Sequence, residues 1–436
     1  MAFSNNGYPN DLSLNRMSTL QAAVQKHTVV IIGAGTGGAT VASRLRRAKP
    51  GLDIVIVDPS PFHYYQPAWT LVGGGQYDLG STRRDMSNVL PAGVIFQQDS
   101  VSGFAPEINE ITLSSGKQLS YDFLVVAAGI QLNWNAIDGL SDTLGKNGVS
   151  SNYRYDLAPY TWECIQNLQG GVALFTQPAG QIKCAGAPQK ALYLAADALK
   201  KRKVPTDLRF HTAAAALFGV PFYSKALGKV MASYGAQASL SSNLIAVNGP
   251  GKTAIFETVT DGNVVREEVA FDFLHVVPPQ SAPDFIKNSS LADAAGWLDV
   301  DKFTLQHVRH ANVFGLGDCT STPNSKTAAA IKGQAPVLVS NLLWALDGGE
   351  GKSEYDGYAA CPLTTSAGKV LLAEFCYGGV VSPTLPLDPR VPRRFYWWLK
   401  KSFFPLFYWR VLIKGRGWFS LHKKRDFAEQ LPEIQA

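Results

Sequence analysis

The stretch TVVIIGAGTGG, residues 28–38, decides the fold. Its apolar first half reads as a buried parallel strand. Gly33, Gly35 and Gly38 then fill the pattern GxGxxG, and ATVASRLRRAKP continues with helical spacing. A second apolar run, DIVIVD at 53–58, ends in Asp58, 20 residues beyond Gly38. Each part has a task at a dinucleotide. Gly33 permits the tight turn, Gly35 lets backbone amides approach a pyrophosphate, and Gly38 lets the helix pack closely on the strand. The helix N-terminus faces the phosphates and the carboxylate of Asp58 meets a ribose hydroxyl.

Two later stretches bear on which dinucleotide this is. YDFLVVAAGI (121–130) is a strand entering a small-residue turn, and NVFGLGDCT (312–320) is a strand ending in Gly317–Asp318. Together with the glycine loop they resemble the fingerprints of two-dinucleotide flavoproteins, which implies FAD rather than NAD as the first ligand. A helix around SKTAAAIKGQA would point its N-terminus at the flavin and favour an anionic reduced ring.

A nicotinamide loop is expected between residues 150 and 280. The run VALFTQ, a helix from about Pro188 and the strand DLRFHTA form a βαβ unit there. The loop between them, QPAGQIKCAGAP, lacks GxGxxG, and RFHTAAAALFG offers neither an acid for a ribose nor an arginine for a 2′-phosphate. A cysteine, Cys184, stands where the phosphate loop belongs. Its place before a helix and beside Lys183 favours the thiolate.

Composition is globular: 46% hydrophobic, 17% charged, 11% aromatic, with net charge +6. That charge favours anionic partners or membrane surfaces. The five cysteines form no CxxC pair, so neither a disulfide framework nor a zinc site is expected. Residues 1–26 read as a polar leader without a secretory core. No run reaches the roughly 18 apolar residues of a spanning helix. Cys319 and Cys164 read as packing residues, and Cys376 receives no chemistry. His63 is a candidate lining residue of the flavin pocket, not a catalyst. His307 and His310 lack further ligands for a metal.

The stretches HYYQPAWTLVG (63–73), GIQLNW (129–134), KCAGAPQK (183–190), LHVVPPQSAPD (274–284), AAGWLDVD (294–301), GLGDCTSTPNSKTAAA (315–330) and YAACPLTTSAGKVLLAEF (358–375) resemble the sulfide:quinone oxidoreductases, in their type II branch. The resemblance spans residues 28 to about 420. It implies a redox pair, Cys184 and Cys361, on one face of the flavin, joined by a bridge that can carry an extra sulfur. The further cysteine of the type I branch is absent from AAGIQLNWNAIDGL, in keeping with the two-cysteine pattern. Residue by residue, the resemblance carries FAD contacts to Thr36, Gly37, Asp58, Gln66, Val101, Asp318 and Lys326. It implies hydrogen sulfide and a quinone (ubiquinone or menaquinone) as substrates. The sulfur acceptor would be of the class of glutathione, sulfite or cyanide. Cys184 is the expected flavin-side sulfur and Cys361 the expected point of attack. No metal and no nucleic acid enters, and a homo-oligomer is compatible with the sequence.

The tail, residues 391–425, holds ten Lys or Arg, no acid and eleven aromatics. Trp and Tyr beside Lys and Arg suit a lipid headgroup boundary. Pro405 is expected to divide it into two segments, each too short to span a bilayer. The expected architecture is therefore α/β: two Rossmann-like domains plus a C-terminal amphipathic membrane-anchoring region. The FAD domain takes residues 27–150 and 281–345, the second Rossmann-like domain 151–280, and the C-terminal region 346–436. The expected membrane is the bacterial cytoplasmic or the mitochondrial inner one. A type II NADH:quinone dehydrogenase, a flavocytochrome sulfide dehydrogenase and a flavin-holding membrane sensor are the alternatives.

Overall fold

The computed structural model describes residues 24–260, 262–349 and 352–417. Most of the leader, and the tail beyond Gly417, lie outside them. Strand β1 (Gln25–Ile32) leads through the glycine turn into helix α1 (Thr36–Ala48) and strand β2 (Ile54–Val57). β1 and β2 are parallel in register Val29↔Ile54 to Ile32↔Val57. Strand β3 (Gln118–Val126) lies parallel on the other side of β1, and the second halves of both, Val29–Ile32 and Leu124–Val126, are apolar and buried. With Val94–Gln97, Glu110–Leu113 and Val101–Ala105 they build most of a seven-stranded sheet.

The chain then forms a second, five-stranded parallel sheet. Strand β4 (Gly171–Gln177), helix α2 (Ala187–Arg202) and strand β5 (Thr206–Thr212) make its central βαβ unit. Strand β6 (Phe273–His275) pairs on the far side of β4. The chain returns to the first sheet through strand β7 (Val313–Gly315), which pairs with β3, and helix α3 (Ala328–Leu346), which packs against α1. A hairpin of β8 (Ala359–Ser366) and β9 (Lys369–Phe375) follows and rests on α2.

The tail departs from expectation. Residues 394–412 run as one helix, α4, in which α turns (Arg394–Trp398, Phe404–Phe407) alternate with π turns (Leu399–Phe403, Tyr408–Leu412). Pro405 does not divide it. The Phe404 amide bonds across the wide turn to the Leu399 carbonyl, and Pro405 falls in the first turn that follows, where a missing N–H costs least. Among the described residues no helix is long and apolar enough to cross a membrane. The far end of α4 is held on α1: the Ser43 hydroxyl donates to the Ile413 carbonyl (2.7 Å) and Arg47 to that of Lys414 (2.8 Å).

The glycines of the first turn do different work. A Cβ on Gly38 would lie 1.8 Å from the Gly33 carbonyl oxygen, whereas one on Gly35 would meet nothing within 4 Å. Gly38→Ala should therefore destabilise the protein by about 2–3 kcal/mol, the cost of overpacking. Gly35→Ala should stay within about 0.5 kcal/mol of the parent. Thermal melts of the two variants check this, and equal losses would contradict it.

Candidate active site

One cavity of about 660 Å³ lies between the two sheets, the hairpin and α4. Its floor is the first glycine turn: Gly33, Gly35, Thr36 and Gly37 line it, Gly35 is open towards it, and no side chain caps α1. Gly38 lies behind, packed on β1. Asp58 lines the cavity with its carboxylate fixed by the amides of Ala34 (2.7 Å) and Ser60 (2.8 Å). Burial raises its pKa against those two bonds. At the opposite end stand Asp318, Lys326 and the first turn of α3. Burial raises Asp318 and lowers Lys326, while each charge opposes the other's shift. Lys326 donates to the Thr320 carbonyl at 2.8 Å and lies over the Trp297 ring. An open cradle at Gly35, two helix N-termini and a half-buried carboxylate at each end fit a long dinucleotide.

Of the sequence-predicted contacts, Gln66 also lines the cavity, and its amide oxygen accepts from Lys183 at 2.7 Å. Val101 does not line it. Its side chain is buried in the apolar core beneath the first sheet, with Val30, Ile32 and Val126. His63 does line it, and burial lowers its pKa to about 4.

The two cysteines meet. Cys184 Sγ lies 3.7 Å from Cys361 Sγ, although 177 residues separate them. Cys184 lines the cavity at the end of the loop before α2, while Cys361 on β8 is fully buried behind it. Gly186 makes the approach possible, since a Cβ there would lie 2.7 Å from Cys361 Sγ. Cys184 is also strained, with a left-handed φ of 52° that costs a side-chain-bearing residue energy. The conformation is held by its amide on the Lys326 carbonyl (2.7 Å) and its carbonyl on the Ala187 amide (2.7 Å).

The cation at the thiol is not the expected neighbour. Lys183 turns to Gln66, and burial lowers its pKa to about 8. Lys190, buried in the first turn of α2, reaches back to Cys184 Sγ at 2.9 Å. Cys184 is held well below the ordinary thiol range, first by the hydrogen bond from the Cys361 thiol and then, against burial, by the Lys190 ammonium. Cys361, donor of that bond and buried, is pushed well up. A second buried lysine, Lys400 of α4, donates to the Pro362 carbonyl at 2.8 Å. Burial and then Lys190 push its ammonium well below the ordinary range.

The sequence signalled neither lysine. A cation in the first turn of a helix opposes the dipole, so Lys190 was the one that could have been noticed. Lys400 is one of many basic residues in the tail. Of the remaining cysteines, Cys319 is buried in the core of the first sheet and Cys376 in that around α3.

Aromatic and aliphatic residues of α4 close the cavity, among them Phe395, Leu399, Phe403 and Phe407. Tyr408 ties this wall to the floor. Its hydroxyl lies 2.8 Å from Thr36 Oγ1 and 2.6 Å from His63 Nε2.

Residues 27–159 match the family model described as pyridine nucleotide-disulphide oxidoreductase. The chain is similar to the mitochondrial sulfide:quinone oxidoreductase of Dictyostelium discoideum, 47% identical over 90% of this chain and 86% of the relative. It is similar also to that of Mus musculus, 39% identical over 92% of each. In fold it matches the sulfide:quinone oxidoreductase structure from Aquifex aeolicus, with TM-score 0.76 at 20% identity, over 95% of this chain and all of that one. Identity of this order over nine-tenths of the chain shows that it belongs to the family of sulfide:quinone oxidoreductases.

Proposed function

We propose that this chain oxidises hydrogen sulfide at the Cys184–Cys361 pair and delivers the electrons to a quinone through a bound flavin, FAD. The observation that carries this reading is the sulfur pair itself: two cysteines 3.7 Å apart, with Lys190 on Cys184, the one that lines the cavity floored by the glycine turn. Gly33, Gly35, Thr36 and Gly37 would hold the pyrophosphate and Asp58 the adenosine ribose. Gln66, Asp318 and Lys326 would hold the flavin end.

In the oxidised enzyme the two sulfurs are bridged. Hydrosulfide attacks Cys361, the bridge breaks, and Cys361 becomes a persulfide while Cys184 leaves as a thiolate. Lys190 stabilises that leaving charge, because an ammonium in a dry site favours the anion. Lys400, whose ammonium burial disfavours, is placed to take the proton that dissolved hydrogen sulfide gives up. Transfer of the outer sulfur to an acceptor such as sulfite, cyanide or glutathione leaves two thiolates. When bound, a flavin would supply the remaining chemistry, as acceptor of the electron pair that Cys184 and Cys361 give up when their bridge re-forms and as its donor to quinone. The apolar wall of Phe395, Phe403 and Phe407 suits the quinone ring. Exposed Phe395, Trp398 and Leu406 support docking at a membrane surface that carries it.

Two experiments test this. Under anaerobic conditions sulfide should bleach the yellow flavin band with a transient long-wavelength absorbance, and quinone should restore the colour. Cys184→Ser should keep the flavin yet slow sulfide bleaching on the order of 10³-fold or more, the scale seen when a nucleophile is removed. Full activity in that variant, or bleaching by NADH alone, would overturn the reading. Lys190→Gln should raise the Cys184 pKa. The rate of its alkylation in reduced protein, sustained into mildly acidic solution in the parent, should fall off at higher pH in the variant. Coincident profiles would remove Lys190 from this role.

A further inference from the structure

A second cavity, of about 530 Å³, opens where the last turn of α4 meets the end of α1. Arg46, Arg47, Arg84, Arg410, Lys414 and Arg416 line it, and no acid does. The arrangement is built. Arg46 donates to the Leu52 carbonyl (3.1 Å), and Lys414 to those of Asn88 (3.0 Å) and Val89 (2.9 Å). The Arg84 guanidinium lies over the Trp409 ring, 4.2 Å from its centre. Among the described residues none of the six cations is in an ion pair.

Six like charges share this groove. Burial and then Arg410 lower Arg84, and burial, Arg84 and Arg416 lower Lys414. An anion entering the groove would relieve this, and guanidinium forks match phosphate oxygens. Position narrows the source of the phosphate. Arg394, Trp398, Ser402, Leu406 and Arg410 form one exposed stripe along α4, so the groove sits at the end of the face that carries exposed Trp398 and Leu406.

We propose that this groove is a binding site for the phosphate of an anionic phospholipid headgroup, whose acyl chains lie towards the Trp398–Leu406 stripe. The site is separate from the sulfur chemistry, so its test does not depend on sulfide turnover. Dihexanoyl phosphatidylglycerol, kept monomeric so that no membrane surface contributes, is titrated calorimetrically into the flavin-loaded protein. Dihexanoyl phosphatidylcholine and inorganic phosphate are titrated in parallel. The expected result is saturable one-to-one binding of phosphatidylglycerol and none of phosphatidylcholine. In Arg410→Gln/Arg416→Gln the affinity should fall about 30-fold, as for the loss of two basic contacts. In Arg394→Gln/Lys401→Gln, which removes the same charge outside the groove, it should stay at the parent level. Retained flavin absorbance shows that each variant is folded. Equal losses in the two variants, binding of phosphatidylcholine, or no saturable binding by the parent would overturn the proposal. Inorganic phosphate bound as tightly as the lipid would also overturn it, and make the groove a free-anion site.

Discussion

The hydrogen bond from the Cys184 amide to the Lys326 carbonyl holds the site together. It joins a loop of the second sheet to the turn before α3 of the first, so neither sheet alone can present the cysteine. It also fixes the strained, left-handed backbone that turns the sulfur into the cavity. Everything downstream assumes this geometry. Lys190 reaches Cys184 only because α2 begins directly after that turn, and Cys361 meets it only across the bare surface of Gly186.

Charge is then distributed with little to spare. Two buried lysines face two sulfurs in a region closed off by apolar side chains. Burial works against every one of these charges, and only the opposite sign nearby makes them tolerable. Lys190 keeps its proton against burial because the sulfurs stand opposite, whereas Lys400 is disfavoured by the same burial and by Lys190. A site arranged in this way is ready for one negative charge and short of a proton for the second.

Local pattern carried much of this into the sequence. The β1–α1–β2 unit, the return strand at 313 and the βαβ of the second sheet all follow from apolar runs and glycine turns, and their placements agree within a few residues. The loss of a glycine loop around Cys184 was legible for the same reason. What was illegible is what long side chains do at a distance. Lys183 adjoins the cysteine in sequence but turns to Gln66, while Lys190 and Lys400 arrive from a helix turn and from the tail. Val101 shows the reverse case, a position carried over by likeness whose side chain faces the core. Pro405 misled because the rule for α-helices does not hold where a π turn precedes it.

The Tyr408 hydroxyl is shared between Thr36 and His63. It makes the helix α4 and the first glycine turn a single structural unit. A chain that has not yet closed its glycine turn lacks the seat on which the last helix settles. Whatever loosens the glycine turn therefore also loosens the aromatic wall that closes the cavity above it.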